Sequence, residues 1–254
     1  MEKRENHAYK TDLTGKKIAV VGAGGVGGFL AGMLGRVCPH LTLAARGARK
    51  EAILENGLVL HSEYKGEITV HPETVAEISG MADQDYIFVC VKNYSLENVC
   101  REIEHAVTEN TVIIPVMNGV DPGDRIRSLI SRGTVVDSLI YIVSFANEDY
   151  SVTQQGDFAD LRIGITDADA SEKAKIGEVS EILRAADIDH QVSDEIEVEI
   201  WRKYILNCAY NVATAYYDNT IGELRKDSGK AAEYEALVKE AWQVALAKGV
   251  AVTQ

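Results

Sequence analysis

Residues 17–27 read K-I-A-V-V-G-A-G-G-V-G, a short, mostly apolar run that passes without a linker into a glycine cluster. Residues 17–21 suit a brief buried strand. Gly22, Gly24 and Gly27 then stand at G-x-G-x-x-G spacing. The demand behind that spacing is steric. The first glycine permits a tight turn, the second lets a diphosphate approach the backbone, and the third lets the following helix pack on the strand. The helix that opens there offers unpaired N–H groups and the positive end of its dipole to phosphate.

The rest of the chain gives the glycine loop its context. Segment 29–37 is helix-like and 41–45 (LTLAA) strand-like, with two short strands at 58–64 and 67–70 expected as an insertion. Residues 86–91 (YIFVCV) and 111–116 (TVIIPV) are continuous apolar runs of the kind found in parallel strands buried on both faces. Helix-like stretches at 96–107 and 124–131 alternate with them, and 135–143 and 160–165 read as further strands. Strands alternating with helices predict an α/β fold with a doubly wound parallel sheet of the Rossmann type. From 167 onward helical patterning dominates, in segments 171–186, 194–217 and 230–248 around an extended link at 188–192. The expected organisation is a charged leader (1–15), a dinucleotide-binding domain (16–166) and an all-helical second domain (167–254).

Cofactor choice is written about twenty residues after the loop, where an Asp or Glu binds the ribose hydroxyls in an NAD enzyme. Here residues 43–46 are L-A-A-R, Arg49 and Lys50 follow, and Glu51 is the first carboxylate. A guanidinium at Arg46 matches a 2′-phosphate through its planar fork, so NADPH is expected over NADH. The alternative is that Arg46 is an ordinary surface residue.

With 46% hydrophobic residues and four prolines in 254, the chain is long enough to bury a real core. Its formal net charge of −13 repels phosphate backbones, so no nucleic-acid partner is expected. Cys38, Cys90, Cys100 and Cys208 form no CxxC pair, and the six histidines show no HExxH or similar spacing, so no metal is expected. The first residues lack the apolar core of a signal peptide and no apolar run reaches spanning length. A soluble, cytoplasmic protein with no membrane partner is the expectation.

Residues 201–211 read W-R-K-Y-I-L-N-C-A-Y-N, with Lys203, Asn207 and Asn211 four apart. On a helix they stack along one face, between Trp201, Tyr204, Ile205, Cys208 and Val212. One cation and two amides in an apolar setting suit an anionic, carbonyl-bearing small molecule. The competing reading is a solvated stripe on an amphipathic helix. Two more polar residues leave the ends of central strands, Lys92 after 86–91 and Asn118 after 111–116, where a doubly wound sheet holds its ligands.

With these residues in view, the chain resembles the ketopantoate reductase (2-dehydropantoate 2-reductase) family over nearly its whole length. The resemblance rests on GAGGVG (22–27), VK (91–92) and NGV (118–120). It continues through QQGDFADLRIG (154–164), DEIEVEIWRKYILNCAYNVATA (194–215) and IGEL (221–224). It implies NADPH-dependent reduction of a 2-keto acid to a 2-hydroxy acid, with ketopantoate to pantoate, on the way to pantothenate and coenzyme A, as the type reaction. It also implies Lys203 as general acid, Asn207 and Asn211 as substrate ligands, and Lys92 and Asn118 beside both nicotinamide and carbonyl. A lysine suits the acid role when burial and a second cation, here Lys92, lower its pKa. Family members continue into further helices with a serine and a glutamate that hold substrate. No matching segment follows here, so the helical domain is expected to be shortened. Other readings are a paralogous reductase of a different 2-keto acid, or a non-catalytic NADP(H)-binding sensor, which would need neither Lys203 nor Lys92. A long apolar helix is compatible with a homodimer.

Overall fold

A computed structural model describes residues 12–253; most of the expected charged leader lies outside that range. The elements run β1 (Lys17–Val21), α1 (Gly25–Leu34), β2 (His40–Ala44), α2 (Gly47–Asn56), β3 (Leu58–Ser62), β4 (Gly66–Val70), β5 (Thr74–Ala76) and β6 (Tyr86–Val89). They continue as α3 (Leu96–Ile103), β7 (Val112–Pro115), α4 (Pro122–Leu129), β8 (Thr134–Val135), β9 (Asp137–Ala146) and β10 (Val152–Gly164). The chain closes with α5 (Ala170–Ala185), β11 (His190–Val192), α6 (Ile196–Tyr217), α7 (Ile221–Leu224) and α8 (Ser228–Ala247).

The first sheet has six strands in the order β5-β2-β1-β6-β7-β8, all paired in parallel. The apolar runs divide between its two faces with the period of two that a strand imposes. Ile18, Val20, Tyr86, Phe88, Val112 and Ile114 enter the core on one face. Ala19, Val21, Ile87, Val89 and Ile113 enter the core on the other, under α3 and α4. The chain winds outward from β1 to β5 and then returns to β6, so the direction of winding reverses between β1 and β6. In open α/β sheets the crevice at that reversal takes the ligand.

A second sheet has the order β11-β10-β3-β4, with β9 paired antiparallel to β10. Its size is a departure from the sequence reading, which expected strands at 135–143 and 160–165 and none over 152–159. The long β9–β10 hairpin instead carries register through a bulge between Gln155 and Asp160. Helix α2 was not anticipated either, because GARKEAILEN is mostly polar and buries only Ile53.

The second sheet reaches α1 because α1 is nearly bald on one side. Gly28, Gly32 and Gly35 lie three to four apart, and a Cβ built on each would come 2.4 Å from Val152 Cγ2, 3.0 Å from Leu60 Cδ2 and 2.9 Å from Val70 Cγ2. The glycine run thus serves close packing as well as the loop. Gly28→Ala is expected to destabilise the fold by about 1–3 kcal/mol through overpacking. A denaturant midpoint equal to wild type would show that β10 moves aside freely.

Helix α5 opens on a capping box between Asp169 and Glu172. Its residues Ile176, Val179, Ile182 and Leu183 join the core under the first two sheets, and β11 pairs with β10. We therefore propose that the seam with the helical part falls at Ser193–Asp194 rather than near Thr166. An amphipathic stripe says that a helix covers something, not which surface it covers. The helical part proper is α6, α7 and α8, with a small core of Trp201, Ile205, Ala245, Val250 and Val252. Among the described residues no helix is long and apolar enough to cross a membrane.

Candidate active site

The loop between β1 and α1 has the geometry its glycines demand. Gly22 adopts φ +105°, and a Cβ there would lie 2.7 Å from the Cys90 carbonyl oxygen, so the turn excludes a side chain on two grounds. A Cβ at Gly27 would stand 1.8 Å from the Gly22 carbonyl oxygen. Gly24 differs: nothing lies within 4 Å of its Cβ position, and it precedes the first turn of α1, which carries no acidic residue. An open glycine at an uncompensated helix N-terminus fits a diphosphate.

Arg46 is exposed just before α2, at the carboxyl end of β2 and beside the loop's strand. Its neighbour Arg49 is committed elsewhere. The Arg49 guanidinium donates to the Ala23 carbonyl at 3.0 Å and the Tyr150 carbonyl at 3.3 Å, and lies 5.1 Å from the Tyr150 ring centre. It ties the glycine loop to the β9–β10 turn, a role that the sequence did not reveal.

Lys92 follows β6 and Asn118 follows β7, so both leave adjacent strands next to the β1–β6 crevice. Lys92 is exposed. Asn93, which sequence reasoning passed over, joins the two strand ends by donating from Nδ2 to the Asn118 carbonyl at 2.8 Å. Across from them, α6 brings Lys203 in. Its ammonium donates to Asn118 Oδ1 at 3.1 Å and to the Ile140 carbonyl on β9 at 2.6 Å, with the Tyr141 ring centre 5.6 Å away. Asn118, Leu139, Ile200, Lys203, Tyr204 and Asn207 line one recess there.

The polar stripe on α6 is thus covered unevenly. Trp201, Ile205, Ala209 and Ala213 form the buried face, Lys203 and Asn207 are half-buried beside it, and Asn211 and Val212 are exposed. Burial depresses the Lys203 ammonium from its ordinary value to about 8. The expected second cation does not contribute: desolvation is the cause, and Lys92 adds nothing to it. A low-dielectric setting penalises the charged form without any help from a neighbour. The Ile140 carbonyl had no signature in the sequence, because every residue carries one and only the fold aims it.

A parallel sheet with a glycine loop and a lysine facing the strand ends from a separate helical unit is the setting, and the match to 2-dehydropantoate 2-reductases defines the class: the protein is an oxidoreductase. The family profile described as ketopantoate reductase PanE/ApbA matches residues 18–168, and that of the family's C-terminal part matches residues 195–254. The chain belongs to the ketopantoate reductase family.

Among similar proteins, the 2-dehydropantoate 2-reductase of Mesorhizobium japonicum is 27% identical over 258 residues, covering 92% of this chain and 77% of that one. The crystal structure of 2-dehydropantoate 2-reductase from Porphyromonas gingivalis W83 superposes with a TM-score of 0.83 at 28% identity, over 94% of this chain and 84% of that one. A D-mandelate dehydrogenase, solved with NADH and anilino(oxo)acetate, shares the fold at a TM-score of 0.82 and 22% identity, over 93% of this chain and 75% of that one.

Proposed function

We propose that this protein uses NADPH to reduce 2-dehydropantoate (ketopantoate) to pantoate. The observation that carries this reading is the Lys203 ammonium, half-buried and held by two uncharged oxygens, one just past the end of β7 and one on β9. A lysine has three donors. Two are engaged by Asn118 and Ile140, which leaves one to direct at a substrate oxygen.

The residues present fit the nicotinamide dinucleotide: the Gly22–Gly27 loop and the start of α1 would hold the diphosphate, and Arg46 the 2′-phosphate. NADPH, when bound, supplies the hydride that reaches the keto carbon. Lys203 gives its proton to the carbonyl oxygen, where negative charge develops. With a pKa of about 8, the ammonium is charged near neutrality yet releases its proton more readily than an ordinary lysine. Asn118 steadies the ammonium, Asn207 offers its amide from the same recess, and Asn211 extends the stripe one turn further. Lys92, exposed at the rim, draws the anionic acid. The sensor alternative offers no use for a lysine depressed and aimed in this way.

The test is NADPH consumption, followed by absorbance, with ketopantoate and a panel of aliphatic and aryl 2-keto acids. Tight NADPH binding without turnover of any keto acid would refute the enzymatic reading. A clear preference for another acid would move the assignment to a paralogous reductase. For the cofactor, Arg46→Ala is expected to weaken NADPH by about 10- to 100-fold, the value of one charge-assisted hydrogen bond, with NADH little affected. Equal weakening of both would remove Arg46 from the 2′-phosphate site.

A further inference from the structure

Glu199 and Lys203 sit four apart on α6, with the glutamate nearer the N-terminus, which is the favoured arrangement for a helical ion pair. Yet no such pair forms between these two described residues. Both Glu199 oxygens are taken from the other side. Ser193 Oγ donates to Oε1 at 2.5 Å, and Arg162 Nη1 on β10 donates to Oε2 at 2.6 Å. The rest of the Arg162 fork is held by Asp160 Oδ2, at 3.3 Å from Nε and 3.2 Å from Nη2. The Tyr141 ring neighbours both cations, with its centre 5.9 Å from the Arg162 guanidinium and 5.6 Å from the Lys203 ammonium. Glu199 and Arg162 are 18% and 28% exposed, covered enough for the pair to be geometrically defined.

We propose that Arg162 is a positioning residue for Lys203: with Ser193 it diverts Glu199, the carboxylate one turn away, so that the ammonium keeps neutral oxygens as its partners. Arg162 and Glu199 come from segments 154–164 and 194–215, and the reduction chemistry gives neither residue a role. The inference rests on the reading of Lys203 as proton donor for its purpose, but not for its geometry.

The other groups facing this end of α6 do not substitute for Glu199. From β9 comes Tyr141, from β10 Arg162 and Asp160, and from the loop after β7 Asp121, which acts on Tyr204. Arg202 points outward to Thr253. On α7 and α8, Glu223, Lys230 and Glu233 gather around Thr220, Asn219 and Tyr217 at the opposite end of α6, and Lys239 and Glu240 are exposed. A depressed Lys203 therefore depends on keeping one carboxylate occupied.

The experiment titrates Lys203 directly, by NMR of isotope-labelled lysine side chains in the ligand-free protein, with Lys203→Arg to assign the signal. In Arg162→Ala, Glu199 is released, and the Lys203 midpoint is expected to rise by about one unit or more. Arg162→Ala/Glu199→Gln is expected to return it toward wild type, and the alkaline limb of kcat/KM should follow the same order. An unmoved midpoint in Arg162→Ala overturns the proposal. Should that variant fail to fold, Glu199→Gln alone decides: a little-changed midpoint supports the diversion, and a marked fall shows that Glu199 already acts on Lys203. Because the titration needs no substrate, inactivity of the wild type toward keto acids would refute the proposed function and leave this result standing.

Discussion

Lys203→Ala is expected to lower kcat by about 10²- to 10⁴-fold, the usual contribution of a positioned general acid, with NADPH affinity close to wild type. The substitution takes the donor from Asn118 Oδ1 and the Ile140 carbonyl, but it touches neither the glycine loop nor Arg46. The pH dependence carries a sign. Burial lowers Lys203 to about 8, and its protonated form is the active one, so wild-type kcat/KM should hold below that value and fall as pH rises through it. The limb should vanish in the alanine variant. Steady-state kinetics across pH, paired with NADPH titration by fluorescence, measures both. A variant with full kcat would mean that the proton comes from elsewhere.

The second large effect is in the loop, and two glycines should fail in different ways. Gly27→Ala drives a Cβ to 1.8 Å from the Gly22 carbonyl oxygen, so the turn itself must open. Loss of backbone donors to the diphosphate, each about 1.5–3 kcal/mol, predicts at least about 100-fold weaker NADPH binding together with lower stability. Gly24→Ala has empty space to enter and an ordinary negative φ of −81°. It should therefore fold as wild type and still bind NADPH poorly, because the new methyl occupies the path of the ligand. Thermal melts and binding isotherms on both variants separate the cases. Wild-type affinity in Gly24→Ala would place the diphosphate away from this loop.

Much of this site is legible before any coordinates. The GxGxxG spacing follows from excluded volume, and the apolar runs at β1, β6 and β7 say that both faces of their sheet are covered. The four-residue recurrence of Lys203, Asn207 and Asn211 marks one helix face. These are local properties, in which a residue's meaning depends on neighbours within about two helical turns.

Where the reading fell short, the missing information was non-local. Segment 29–37 reads as a helix, but the purpose of Gly28, Gly32 and Gly35 appears only when β10, β3 and β4 lie against them. The α5 stripe belongs to the sheets because of where its loop returns the chain. Burial and Lys92 together were expected to lower the Lys203 pKa, and burial alone does so. Charge can be counted along a sequence, but desolvation depends on what the fold packs around the group.

The order of residues along the chain was enough to place a glycine loop of GxGxxG spacing, a parallel sheet and a lysine-bearing helix, because each follows from periodicity and steric exclusion within a short segment. Folding in three dimensions supplied the partners of that lysine, a carbonyl on β9 and an amide from the end of β7, and separately paired Arg162 with Glu199. Those contacts join residues up to 85 positions apart. Separation of that kind leaves no periodic trace, so only packing could bring them together.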